Sequence, residues 1–158
     1  MRYILAQDPA RMRGRWLNGF AARIGRSYGL SGSISVAFVS PAEMTRLNAA
    51  YRGIAKPTDV LSFSFLRDVG SPRSTAAAKR STSSEHTETA GEIIFCLPVV
   101  RRKARERRGT LRDELRFLLT HATLHILGYD HARDRDARAM EKLERRLLAR
   151  GSDRLAKP

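Results

Sequence analysis

Residues 121–131 read His121-Ala122-Thr123-Leu124-His125-Ile126-Leu127-Gly128-Tyr129-Asp130-His131. His121 and His125 are four apart, and on a helix that spacing stacks them one turn apart on one face, with Cβ atoms about 6 Å apart. Two imidazole nitrogens so placed can reach a single ion at about 2.0–2.1 Å. Gly128 accepts a left-handed backbone, so it can stop the helix and let the chain fold back with His131. The plain alternative is a core histidine pair plus a chance turn histidine. The glycine turn and the clustering of three of the chain's four histidines weigh against it. The segment predicts a metal site with ligands His121, His125 and His131.

Three neutral nitrogen ligands favour one zinc ion per chain, although nickel, copper and iron also accept imidazole. Three protein ligands leave a fourth position open, and zinc lowers the pKa of a bound water from about 15.7 to about 7. A zinc-bound water is therefore the expected nucleophile of a hydrolase. The spacing matches the zinc-protease pattern HExxHxxGxxH except that Ala122 stands where the glutamate base belongs. Alanine cannot accept a proton, so peptide hydrolysis is disfavoured.

Working outward, Thr110 is suited to cap the metal-bearing helix, with Asp113 and Glu114 near its positive end. Leu111, Leu115, Leu118, Leu119 and Ala122 give that helix a broad apolar face. A last helix is expected over about Asp134 to Arg150, with Met140, Leu143, Leu147 and Leu148 on its apolar side. Upstream, Gly91 to Leu97 reads as a buried strand with Cys96 as a small core residue. Pro98 then opens a basic helix that Gly109 closes.

The N-terminal half reads as strands with interspersed helices. Tyr3 to Ala6 is a short strand. Pro9 to Tyr28 is helical, with Met12, Trp16, Phe20 and Ile24 as its core stripe. Ile34, Val36 and Phe38 alternate with small residues as in a strand. Ser40, Pro41 and Glu43 form a capping box, and the helix they open has Met44, Leu47 and Tyr51 as its apolar face and ends at Gly53. Val60 to Phe65 is a strand by its β-branched and aromatic content. Asp59 before it is read as a turn residue rather than a cleft residue. Asp68 to Thr89 holds nine Ser or Thr in 22 residues and no aromatic, so it is expected to be a flexible loop, with His86 solvated inside it. This order of elements predicts an α+β fold.

The chain has 158 residues, the size of one ordinary domain, and enough to bury a core without disulfides. Cys96 is the single cysteine, which excludes an intrachain disulfide framework and a cysteine zinc cluster. No apolar run approaches the roughly 20 residues that span a bilayer, and the apolar stretch at the N-terminus is too short for a signal peptide. A soluble intracellular protein with no membrane partner is expected. The net charge of +14 suits a polyanionic partner such as nucleic acid, and Arg101 to Arg108 concentrates six basic residues against Glu106.

Four segments together resemble the bacterial YbeY family of ribosomal RNA maturation factors and endoribonucleases. HATLHILGYDH (121–131) is similar to that family's HGxLHLxGYDH, and LNAAYRGIAKPTDVLSFSF (47–65) to its LNxxYR…PTDVLSFPF. GEIIFC (91–96) is similar to GDIxIC, and DARAMEKLERRLL (136–148) to the family's terminal helix. The resemblance covers most of Ile34 to Leu148. It implies a zincin-like α+β fold over a single domain, with a small mixed sheet, several helices and zinc on the three histidines. It also implies cytoplasmic single-strand endoribonuclease activity in late ribosomal RNA processing and ribosome quality control, with ribosomal RNA and ribosomal particles as partners. Arg52 falls on the family's functional arginine, where a guanidinium can clamp a phosphate and stabilise developing negative charge. Without the resemblance Arg52 is a surface arginine at a helix end.

The chain departs from the family pattern at Ala122 (for glycine), Ser64 (for proline) and Glu92 (for aspartate), and in its long 68–89 loop. None of these removes a ligand or Arg52. Asp130 is open to two readings, an acceptor that orients a histidine or the cap of the last helix. Two functions also stay open: a zinc-dependent endoribonuclease, and a non-catalytic ribosome-assembly factor that binds RNA around a structural zinc.

Overall fold

Alternating side chains and β-branched residues produce four short strands, β1 (Arg2–Leu5), β2 (Ser33–Phe38), β3 (Val60–Ser64) and β4 (Thr89–Phe95). The structure is a computed structural model that describes residues 2–5, 19–20, 22–26, 32–66, 89–129 and 134–149. The strands form one sheet in the order β1-β2-β4-β3. β1 with β2 and β2 with β4 are parallel, and β3 closes the edge antiparallel to β4. Among the described residues the helices α1 (Pro41–Arg52), α2 (Leu97–Glu106), α3 (Leu111–Ile126) and α4 (Asp134–Ala149) accompany them. Residues 19–20 and 22–26 are also helical. This is the mixed α+β architecture expected from the sequence.

Strand periodicity divides the core into two. Ile93 and Phe95 of β4 join Ile34, Val36, Phe20, Ile24 and the buried leucines of α3 on one side of the sheet. Ile94 and Cys96 point the other way, to Met44 of α1 with Leu61 and Val99. The helix carrying His121 and His125 is thereby clamped between sheet and α4, with Met140 and Leu147 of α4 in the same cluster. Tyr3 ties β1 to that helix through a 2.6 Å hydrogen bond between its hydroxyl and Thr123 Oγ1, and burial pushes the Tyr3 phenol up, so it stays neutral.

Tyr51, on the apolar face of α1, is 65% exposed, and its ring meets Phe63 of the edge strand edge-on at 4.7 Å between centroids. Several local readings are corrected. Ser40 accepts from the Glu43 amide at 3.2 Å, but the Glu43 carboxylate pairs with Arg46 instead of closing the capping box. Leu97 begins α2 rather than ending β4, and β4 starts at Thr89, inside the segment expected to be loop. At the end of α2 Arg108 is left-handed (φ 55), and the Gly109 amide closes the helix end by donating to Ala104 O at 2.9 Å. Met12, Trp16, His86 and the span 68–88 lie outside the described residues, as do Asp130 and His131.

Candidate metal centre and cleft

The helix that carries His121 and His125 is set by its ends. Thr110 Oγ1 accepts from the Asp113 amide at 3.1 Å, as its N-cap position predicts. At the other end Gly128 takes φ 84, the Gly128 amide donates to His125 O at 2.9 Å, and the Tyr129 amide to Leu124 O at 3.0 Å. Ser64, where the family pattern has proline, donates its hydroxyl to Ile126 O at 2.9 Å and so ties β3 to the last turn of α3. With Leu115, Leu118, Leu119 and Ala122 buried, His121 and His125 are left half-buried on the side facing a cleft.

Their Nε2 atoms are 3.1 Å apart. Two nitrogens about 2.0–2.1 Å from one tetrahedral ion lie about 3.3 Å apart, so the pair fits a shared zinc. On its far side His121 Nδ1 lies 2.8 Å from Oε1 of Glu144, which is 9% exposed. A buried carboxylate holds the proton on Nδ1, which leaves the His121 Nε2 lone pair aimed at His125. The Phe117 ring stacks on His121 at 6.0 Å between centroids and fixes its plane. Among the described residues no three His, Cys, Asp or Glu side chains converge as a complete metal cage. The described part of the site is thus His121, His125 and the supporting Glu144.

The histidines open into a cleft of about 470 Å³, lined also by Arg52, Asp59, Lys103 and Arg107. Arg52 is the last residue of α1, and Gly53 with φ 70 ends the helix directly behind it. The Asn48 side-chain amide, one turn earlier, donates to Lys56 O at 2.7 Å and holds the loop that leads to Asp59. The turn assignment of Asp59 needs correction: it is 7% exposed and lines the cleft. Its Oδ2 accepts from Lys103 Nζ at 2.8 Å and its Oδ1 from Thr58 Oγ1 at 3.0 Å. Burial pushes the Asp59 carboxyl up, but the hydrogen bond and charge of Lys103, with the Thr58 hydrogen bond, outweigh it and hold the group below the ordinary carboxylate value. Arg107 is anchored likewise, its Nη1 donating to both Glu114 oxygens at 3.0 and 3.3 Å and its guanidinium resting 5.5 Å from the Phe117 centroid.

Sequence reasoning missed Glu144, Lys103 and Arg107. Glu144 carried a signal: it lies four after Met140 and three before Leu147, so it is an acid on the apolar stripe of α4. Lys103 and Arg107 carried none beyond membership of a basic run, because which face meets the cleft depends on how α2 packs.

The chain matches the family model described as Endoribonuclease YbeY over residues 7–152. An Endoribonuclease YbeY from Alkalilimnicola ehrlichii is 38% identical over 135 residues, covering 85% of this chain and 73% of that protein. One from Bordetella petrii is 42% identical over 115 residues, covering 73% of this chain and 64% of its relative. The solution structure of TM1509 from Thermotoga maritima shares the fold, with a TM-score of 0.58 at 24% identity over 95% of this chain and 87% of that one. Matched across nearly its whole length, the chain belongs to the endoribonuclease YbeY family.

Proposed function

We propose that this chain is a zinc-dependent endoribonuclease that cleaves single-stranded ribosomal RNA in the cleft between Arg52 and the histidine pair. The observation that carries the reading is the shared cleft: a guanidinium and two imidazoles with converging Nε2 atoms face the same space. Family membership supports a nuclease and a role in ribosomal RNA processing. Ribosomal particles in the cytoplasm are the proposed setting, and among the described residues no helix is long and apolar enough to cross a membrane. The arrangement of a His-x-x-x-His helix against a mixed sheet with an antiparallel edge strand supports a zincin-like description.

His121 and His125 would hold the ion together with His131, and Glu144 keeps the His121 tautomer that leaves Nε2 free to ligate. When bound, zinc supplies Lewis acidity and a nucleophile at neutral pH. Arg52 offers parallel N–H donors to the non-bridging oxygens of the scissile phosphate, where negative charge grows as the P–O bond breaks. Asp59 is committed to Lys103 and Thr58 and is a poor proton acceptor, so we assign it no role as base. The test compares metal content and cleavage of single-stranded RNA for the wild type, His121→Ala, His125→Ala and Arg52→Ala. The histidine variants should lose metal and cleavage together. Arg52→Ala should keep its metal and lose about 10²–10³ in kcat. Undiminished cleavage by metal-free protein would sink the reading, and ribosome maturation undisturbed by Arg52→Ala would favour the binding-factor alternative.

A further inference from the structure

Of the six basic residues between Arg101 and Arg108, two line the cleft: Lys103 and Arg107. They are four apart, so they stand one above the other on one face. Each is held by a carboxylate that is itself nearly buried, Asp59 at 7% exposure and Glu114 at 6%. The cations are the outer members, with side chains 37% and 55% exposed.

We propose that Lys103 and Arg107 form a two-point track for the RNA backbone beside the scissile phosphate, each cation held facing the cleft by its buried carboxylate. This rests on the endoribonuclease reading and adds to it where the flanking nucleotides run.

Counting donors supports the track. The Lys103 ammonium has three N–H groups and spends one on Asp59. Among the described residues Arg107 spends Nη1 on Glu114, which leaves Nε and Nη2 to offer to a phosphate. Tethering also removes in advance the rotamer freedom that a long cationic chain loses on binding, so less is lost when the ligand arrives. Arg107 is further steadied on the Phe117 ring, which itself stacks on His121. The two ion pairs are neutral in sum. Arg101, Arg102, Arg105 and Arg108 on the same segment, with only Glu106 against them, keep the surroundings attractive to a polyanion.

The experiment measures binding of a single-stranded 2′-O-methyl oligoribonucleotide across a salt series by fluorescence anisotropy, using the zinc-loaded full chain. Two paired variants avoid stranding a buried carboxylate: Asp59→Asn with Lys103→Met, and Glu114→Gln with Arg107→Gln. Each should lower the slope of log K against log salt by about 0.7, the value for one lost phosphate contact on a single strand. Arg101→Gln with Arg105→Gln removes two exposed charges of the same helix and should change the slope less than either pair. Equal slopes in wild type and paired variants overturn the track, as does a full loss reproduced by the Arg101 and Arg105 control. Should a paired variant fail to fold, amine acetylation of the wild type read by mass spectrometry decides. RNA must shield Lys103 several-fold more than the exposed Lys142, and equal labelling overturns the proposal. Cleavage by the wild type with an unchanged slope in the variants removes only the track. Failure of the wild type to bind or cleave RNA removes the endoribonuclease reading and the track with it.

Discussion

His121 Nδ1 and Glu144 Oε1, on two helices 23 residues apart in sequence, meet at 2.8 Å. The contact joins the proposed metal helix to α4 through a buried carboxylate, and it decides which imidazole nitrogen faces the cleft. An amide at position 144 keeps the shape but gives up the carboxylate that accepts from His121 Nδ1 and orients the ring. Glu144→Gln should therefore weaken zinc binding by about 10- to 100-fold, measured by competition with a chromophoric chelator. Helical circular dichroism should be retained. An affinity equal to the wild type would show that His121 needs no orienting partner.

Gly91 is constrained by space. A Cβ built there would lie 2.4 Å from the Phe63 carbonyl oxygen and 2.9 Å from both Ile126 Cδ1 and Cγ2. The carbonyl belongs to the paired edge strand and has little freedom to move, while Ile126 is the neighbour of His125. Gly91→Ala should destabilise the fold by about 1–3 kcal/mol or more, read as the midpoint of urea unfolding. An unchanged midpoint would mean that β3 and the end of α3 can separate without cost.

The Asp59–Lys103 pair gives a pH dependence with a definite sign. The folded carboxyl sits below its ordinary value, so the pair's stabilisation is fully present above the unfolded pKa of about 3.9. It is lost as pH falls through the lower, folded value. The stability difference between wild type and Asp59→Asn should be constant from near-neutral pH down to about 5 and shrink below about 4. Chemical denaturation at a series of pH values checks this. A difference that widens in acid would reverse the assignment.

Much of the fold was legible because it rests on local rules. The alternation in Ile34–Val36–Phe38, the Thr110 cap and the helix stops at Gly53 and Gly128 each depend on neighbours within a few residues, and each is found as expected. Tyr51 is exposed although it stands on an apolar face, because a sequence shows that a face is apolar without showing whether a partner covers it.

By itself, the sequence determined the α+β class, the pairing of His121 with His125 on one helical face, the basic character of residues 101–108 and the family. The first three follow from periodicity, spacing and composition, and the family follows from the resemblance of whole motifs; none of them needs knowledge of distant contacts. Only the tertiary structure decided that Arg52, Asp59, Lys103 and Arg107 share a cleft with the histidines, and that Glu144 supports His121 from behind. Those relations cross from one element to another and depend on how α1, α2 and α4 pack around the sheet. A side chain's local pattern fixes the direction in which it leaves its own helix or strand, while its partner is set by the packing of the whole.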